Sequence, residues 1–159
     1  MPTPVLPLEI RRVANGKRDF LPLLLLGDES EEMIDRYLGA GTLYAGYSGE
    51  EPVAVCVVTD AAPGIIEVKN LAVSPDRQRM GYGRQMLSFI EELYREKTVQ
   101  LGTGEAPSTM LFYQACGYTV SHRVADFFTD NYPHPIIEDG VMLRDMVYLR
   151  KAPAIFSGN

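Results

Sequence analysis

The sequence predicts an α/β domain, in the α+β sense, built around a mixed sheet. Three observations carry this. Residues 43–48 and 53–59 are strand-like runs joined by Gly49-Glu50-Glu51-Pro52, which reads as an antiparallel hairpin. Residues 65–73 form a further, largely apolar strand, and Met86, Leu87, Ile90, Leu93 and Tyr94 then recur at helical spacing. The full order is strand, two helices, three strands, helix, strand, helix, two strands, which suits helices packed on a mixed sheet.

Residues 1–4 are Pro-rich and expected to be loose, and 6–13 read as the first strand. Residues 17–26 are helical in composition, with Pro22 marking a start or a kink. Ser30 N-caps a second helix carrying Met33, Ile34, Tyr37 and Leu38, stopped by Gly39 and Gly41. After the hairpin, 61–64 turn the chain into the central strand, 65–73. Strict alternation would place Ile65, Glu67, Lys69 and Leu71 on one face and Ile66, Val68, Asn70 and Ala72 on the other. The next helix begins near Gly83 and points Glu91, Glu92, Arg95 and Glu96 outward. A short strand at 98–101 ends in Gly102-Thr103-Gly104, and a helix at 108–115 is closed by Gly117. A strand at 118–129, a loop rich in Pro and acidic residues at 130–140, and a last strand at 141–151 complete the chain.

At 159 residues the simplest reading is one domain over 1–159, with a core of about 5–150. A hydrophobic content of 46% with 23% charge excludes a disordered chain. The greasiest stretch, 21–26, contains Pro22 and is far too short to span a bilayer, and the N-terminus lacks a basic-then-apolar signal pattern. A cytoplasmic protein without membrane association is expected. The net charge of −6 argues against a nucleic-acid binder; it suits a small cationic acceptor, or serves only solubility. Cys56 and Cys116 are too few for a disulfide framework. Cys56 reads as a buried thiol, and Cys116 has no histidine near it in sequence. His122 and His134 show no zinc-ligand spacing, so no metal is expected.

The stretch from Leu71 to Arg84 organises the rest. Small residues at the start of a helix let a ligand approach free backbone N–H groups, and these, with the helix dipole, favour a phosphate. A P-loop would need Lys and Ser or Thr after the second glycine, and a dinucleotide fingerprint would need glycine at Met86. What remains is Gln78-x-x-Gly81-x-Gly83, after a strand ending Asn70-Leu71-Ala72-Val73 and a Val-x-Pro step. This resembles motif A of the GNAT N-acetyltransferase superfamily, with Gln where Arg is commoner. Leu111-Phe112-Tyr113-Gln114-Ala115-Cys116-Gly117-Tyr118 is similar to the family's helix-to-strand segment. The resemblance covers roughly residues 5–150. At Ala106 the sequence departs from the Asn that often binds the cofactor's pantetheine arm.

The resemblance implies a GNAT fold: a mixed, mostly antiparallel sheet with a splayed central strand pair and flanking helices. It implies acetyl-CoA as co-substrate, with backbone N–H groups from Gln78 through Arg79, Met80, Gly81, Tyr82 and Gly83 to Arg84 on its pyrophosphate. The Arg79 and Arg84 side chains either pair with phosphates or only solvate a helix face. Leu71, Ala72 and Val73 would act through their backbone, the Leu71 N–H polarising the thioester carbonyl. Ser108 would lie on the second wall of the groove. Glu67, a carboxylate in an apolar strand, matches the general base of several members; a salt bridge is the alternative. Tyr113 would be the general acid to the departing thiolate; a core aromatic is the alternative. His122, Asp126, Tyr132, His134, Glu138 and Asp139 fall in the region that shapes the acceptor site in many relatives, though loops are polar in any case.

The implied function is acetyl transfer from acetyl-CoA to a primary amine of a small molecule, by direct attack in a ternary complex. The alternatives are a peptide or protein N-acetyltransferase, a non-catalytic acyl-CoA sensor, and an interaction scaffold forming a homodimer by edge-strand pairing.

Overall fold

The computed structural model describes residues 7–156; the loose segment expected at 1–4 and the expected start of the first strand at Leu6 lie outside them. The apolar runs become β1 (Glu9–Val13), β2 (Thr42–Ser48), β3 (Glu51–Ala62), β4 (Ile65–Val73), β5 (Thr98–Thr103), β6 (Thr119–Val124), β7 (Ile137–Glu138), β8 (Val141–Met142) and β9 (Met146–Lys151). The helices are α1 (Leu21–Gly27), α2 (Glu31–Leu38), α3 (Tyr82–Leu93), α4 (Pro107–Ala115) and α5 (Phe127–Asn131). The helix expected at 17–26 is in two parts, a 3-10 turn over Lys17–Phe20 and then α1, with Pro22 in the first turn of α1, where its missing N–H costs nothing. Ser30 caps α2 as expected, its side chain accepting from the Met33 N–H.

Seven strands form one sheet in the order β1-β2-β3-β4-β5-β9-β6, antiparallel throughout except for the β4–β5 pair. One face carries a core of Ile66, Val68, Val99, Leu101, Val147 and Leu149 closed by Met86, Leu87 and Ile90 of α3. The other face packs Leu43, Val55 and Val57 against Leu24 of α1 and Ile34, Tyr37 and Leu38 of α2.

Two irregularities at β4 position the site. Val57 pairs with Asn70 and Val58 with Val68, so Lys69 is an extra residue on β4 and makes a β-bulge. The bulge changes the phase of the strand. Ile66 and Val68 face the α3 layer, and so do Leu71 and Val73, whereas Ala72 faces α1 and α2. Asn70 also turns that way, donating to the Leu24 carbonyl and the Tyr37 hydroxyl. The expected alternation therefore fails after Val68: Leu71 does not share a face with Glu67. The second irregularity is a splay. β4 and β5 pair only from Ile65↔Thr98 to Val68↔Leu101, although β4 continues to Val73 and β5 to Thr103.

The C-terminal third differs from the sequence expectation. The strand expected at 118–129 stops at Val124, and Asp126 at φ 59° turns the chain into α5. The expected loop and last strand contain the β7–β8 hairpin, whose Asp139-Gly140 turn has φ of 52° and 74°. Both central residues at positive φ are the signature of a type I′ turn, for which Asp-Gly is a preferred pair.

Candidate active site

The turn before α3 is open to a ligand. Gly81 is the N-cap at φ 85° and offers no capping side chain, so the N–H groups of Tyr82, Gly83 and Arg84 have no helical partner. The turn is anchored to the end of β4, since Gln78 Nε2 donates to the Val73 carbonyl at 3.1 Å. Arg79, at φ 65°, has no ion pair among the described residues, while Arg84 donates to the Ala115 carbonyl at 3.1 Å and ties α3 to the end of α4. A groove of about 740 Å³ runs between this turn and α4. It is lined by Leu71, Val73, Arg77, Gln78, Arg79, Gly81, Tyr82, Gly83, Arg84, Ser108, Thr109, Phe112, Tyr113 and Asp139.

Local sequence fixes α4 at both ends. Pro107 starts it, and Ala106 supplies no side-chain cap. The cap comes from the β7–β8 turn: Asp139 Oδ2 accepts from the Ser108 N–H at 3.0 Å and from the Ser108 hydroxyl. Those bonds hold the Asp139 carboxyl below its ordinary range. At the other end the Tyr118 N–H donates to the Tyr113 carbonyl and the Gly117 N–H to the Gln114 carbonyl, with Gly117 at φ 95°. This is a Schellman motif, and its hydrophobic contact is the edge-on packing of Tyr113 against Tyr118, with ring centroids 6.2 Å apart. The Tyr-x-x-x-Gly-Tyr spacing is thus the device that stops the helix and fixes the Tyr113 ring. Burial, above all, pushes the Tyr113 phenol up, and its hydroxyl has no hydrogen bond among the described residues.

A smaller cavity of about 250 Å³ opens at the splay. It shares Leu71, Thr109 and Tyr113 with the groove and adds Leu26, Gly27, Val68, Lys69, Asn70, Leu101, Gly102, Thr103 and Glu138. Tyr113 therefore stands where the two meet. The side of this cavity is braced by a relay: Tyr132 and Tyr37 donate to Asp28, and Asn70 donates to Tyr37 and to the Leu24 carbonyl.

Glu67 borders neither cavity. It is 8% exposed, accepts from Gln100 Nε2 at 2.6 Å and pairs with Lys69 Nζ at 2.9 Å. Gln100 is held in turn by Arg150 Nε at 2.8 Å. The salt bridge given as its alternative role is present, formed with the bulge residue of its own strand.

A protein-family model described as an acetyltransferase (GNAT) domain matches residues 39–120. The chain is 37% identical over 131 residues to the uncharacterized N-acetyltransferase YvbK of Bacillus subtilis (strain 168), covering 80% of this chain and 84% of that protein. The chain belongs to the GNAT acetyltransferase family. Among solved structures, a GNAT family acetyltransferase from Elizabethkingia anophelis with acetyl-CoA bound is 33% identical at a TM-score of 0.85, covering 91% of this chain and 97% of that one. A Bacillus subtilis acetyltransferase in complex with CoA is 32% identical at a TM-score of 0.80, covering 90% and 97%. Like them, this acetyltransferase is an acyltransferase on a mixed sheet with flanking helices.

In this acetyltransferase the groove brings together Leu71, Val73, Gln78, Arg79, Gly81, Tyr82, Gly83, Arg84, Ser108 and Tyr113 from the sequence-derived set. Ala72 is turned to the α1–α2 side, and Met80 is exposed beside the groove without lining it. Ala106 packs with Ile136 and Leu143 in a small cluster of its own, so the departure from the family's Asn is a packing position here. Arg77 and Thr109 line the groove without having been singled out. Arg77 stood in the motif as one more basic turn residue, and Thr109 follows Ser108 one step into the helix. Neither thiol borders a cavity. Burial pushes the Cys56 thiol up to about 12 and raises that of Cys116, the opposite of what activates a cysteine. Among the described residues no group of His, Cys, Asp and Glu is arranged to hold a metal, and no helix is long and apolar enough to cross a membrane.

Proposed function

We propose that the protein transfers acetyl from acetyl-CoA, its co-substrate, to the primary amine of a small molecule, with both substrates bound at once. The observation that carries this is the junction at Tyr113 of the groove and a smaller, polar cavity. The residues present fit the donor. The open first turn of α3 suits the pyrophosphate, and β4 from Lys69 onward has no β5 partner for its backbone, so extended pantetheine can pair there. Bound acetyl-CoA supplies the activated thioester.

The chain's own contributions follow from position. The Leu71 N–H is assigned to the thioester oxygen, where negative charge builds as the amine attacks. The Tyr113 hydroxyl gives its proton to the departing sulfur. A phenol is protonated at neutral pH, as an acid must be, and burial pushes this one further up. Direct attack is favoured because neither cysteine borders a cavity, so no thiol is placed to carry the acetyl group first. A cavity of about 250 Å³ suits a small acceptor. Glu67 is assigned to the sheet's polar network, where it fixes Lys69, and not to the reacting atoms. We assign the protein to the cytoplasm, a setting that its two free, buried thiols suit.

Calorimetric titration with acetyl-CoA, followed by thiol release across a panel of primary amines, tests the reading. Folded protein that shows no heat of binding would remove it.

A further inference from the structure

Two carboxylates near the junction of the cavities are in opposite circumstances. Glu67 accepts from Gln100 and Lys69 and borders neither cavity. Glu138 borders the smaller cavity with Lys69, Gly102 and Tyr113, and no side chain among the described residues pairs with it. The cation on that lining, Lys69, is already taken by Glu67 at 2.9 Å. The cavity therefore faces a bound acceptor with an uncompensated carboxylate.

The surroundings sharpen this. Glu138 is exposed at the side of the cavity, and partial desolvation there raises its carboxyl first, then the like charges of Asp139 and Glu29. Glu29 holds His134 Nε2 at 2.9 Å, and Asp139 is committed to Ser108. Burial leads the causes that raise Tyr113, and the charge of Glu138 is among the rest, so the carboxylate lies within electrostatic reach of the proposed acid. A carboxylate crowded by like charges is relieved by a cation, and a second carboxylate on the ligand would add to the crowding.

We propose that Glu138 is the acceptor's docking carboxylate: it pairs with the ammonium of a cationic primary amine in the smaller cavity, takes one proton from it, and disfavours acceptors that carry a carboxylate beside the amine. This rests on reading that cavity as the acceptor site. The step balances as follows. The ammonium gives one proton to Glu138, and the freed lone pair forms the C–N bond as the C–S bond breaks. The sulfur takes the Tyr113 proton, the second proton shed by nitrogen restores the phenol, and the proton on Glu138 passes to solvent.

The test compares the wild-type protein, Glu138→Gln and Glu67→Gln at saturating acetyl-CoA, with diaminobutane, ethanolamine and glycine as acceptors and thiol release as the readout. Diaminobutane is expected to be the best acceptor and glycine the worst. Glu138→Gln should raise KM for diaminobutane about tenfold or more, the loss expected for a charge-assisted contact, with the calorimetric affinity for acetyl-CoA unchanged. Glu138→Asp should recover part of the loss, which a merely structural role would not require. An unchanged diaminobutane KM in Glu138→Gln overturns the proposal. So does a loss in Glu67→Gln alone, or a wild-type preference for glycine. Failure of the wild-type protein to bind acetyl-CoA would instead take down the proposed function, and this assignment with it.

Discussion

Gln100 Nε2 reaches Glu67 Oε1 at 2.6 Å, across the last stretch where β4 and β5 are still paired. Both residues are almost fully buried, at 6% and 8% exposure. The contact closes the sheet just before it splays and leaves Glu67 facing Lys69 rather than the groove. Replacing Gln100 by Leu removes a donor from a buried carboxylate and an acceptor from Arg150. The expected cost is about 1–3 kcal/mol, read as a lower urea midpoint. A midpoint equal to wild type would show that Glu67 does not need this partner.

Tyr113→Phe deletes a hydroxyl that has no hydrogen bond among the described residues and keeps the ring against Phe112 and Tyr118. Stability should stay near wild type, while kcat falls on the order of 100-fold with little change in the KM for acetyl-CoA. Unchanged kcat would remove Tyr113 from the acid role.

Gly27 lies directly against Asn70. A Cβ built at Gly27 would come 2.2 Å from Asn70 Oδ1, and Asn70 is fixed by its bonds to Leu24 and Tyr37. Gly27→Ala must displace the amide and break at least one of those bonds, at a cost of about 2 kcal/mol or more. Thermal or urea unfolding measures it; a fully tolerated alanine would mean that Asn70 moves freely.

The cap on α4 should depend on pH. Asp139 has its carboxyl held below the ordinary 3.8 by the Ser108 hydroxyl and N–H. A depressed folded value means that this contribution is fully present above about pH 4 and is lost as pH falls through the folded value. Amide exchange at the start of α4 is expected to quicken in that acid range for the wild-type protein. In Asp139→Asn the acid-range change should be much smaller, and equal profiles would exclude Asp139 as the titrating cap.

The central architecture was legible because its signals are short-range and redundant. The turn at Gly49, the helical spacing from Met86 to Ile90 and the Gly117-Tyr118 stop each have one good local solution. The bulge at Lys69 was not, because strict alternation assumes one residue per step, and an extra residue changes the phase without altering composition. Its trace is the adjacent polar pair Lys69-Asn70, after which the groove-side apolar residues move from Ile66 and Val68 to Leu71 and Val73. Phe127 and Phe128 favour strand by propensity, but they form α5 because the chain turns at Asp126 and the rings pack edge-on. The β7–β8 hairpin was missed although Asp139-Gly140 is a strong turn signal, since two-residue strands carry no periodicity. In the proposed site, the Gln78–Gly83 turn and Tyr113 were legible through the resemblance to the family's two motifs, and both line the groove. The second cavity was not legible, because Gly27, Lys69, Gly102 and Glu138 meet there only through the tertiary fold.

The relay from Tyr132 through Asp28 and Tyr37 to Asn70 joins a late segment of the chain to the middle of the sheet. Its members lie on separate elements, so each bond in it ties two of those elements together. The segment around Tyr132 and the α1–α2 junction are therefore expected to open together. Anything that steadies the smaller cavity should slow amide exchange in both places by a common factor, including at the junction, where Asp28 is the link.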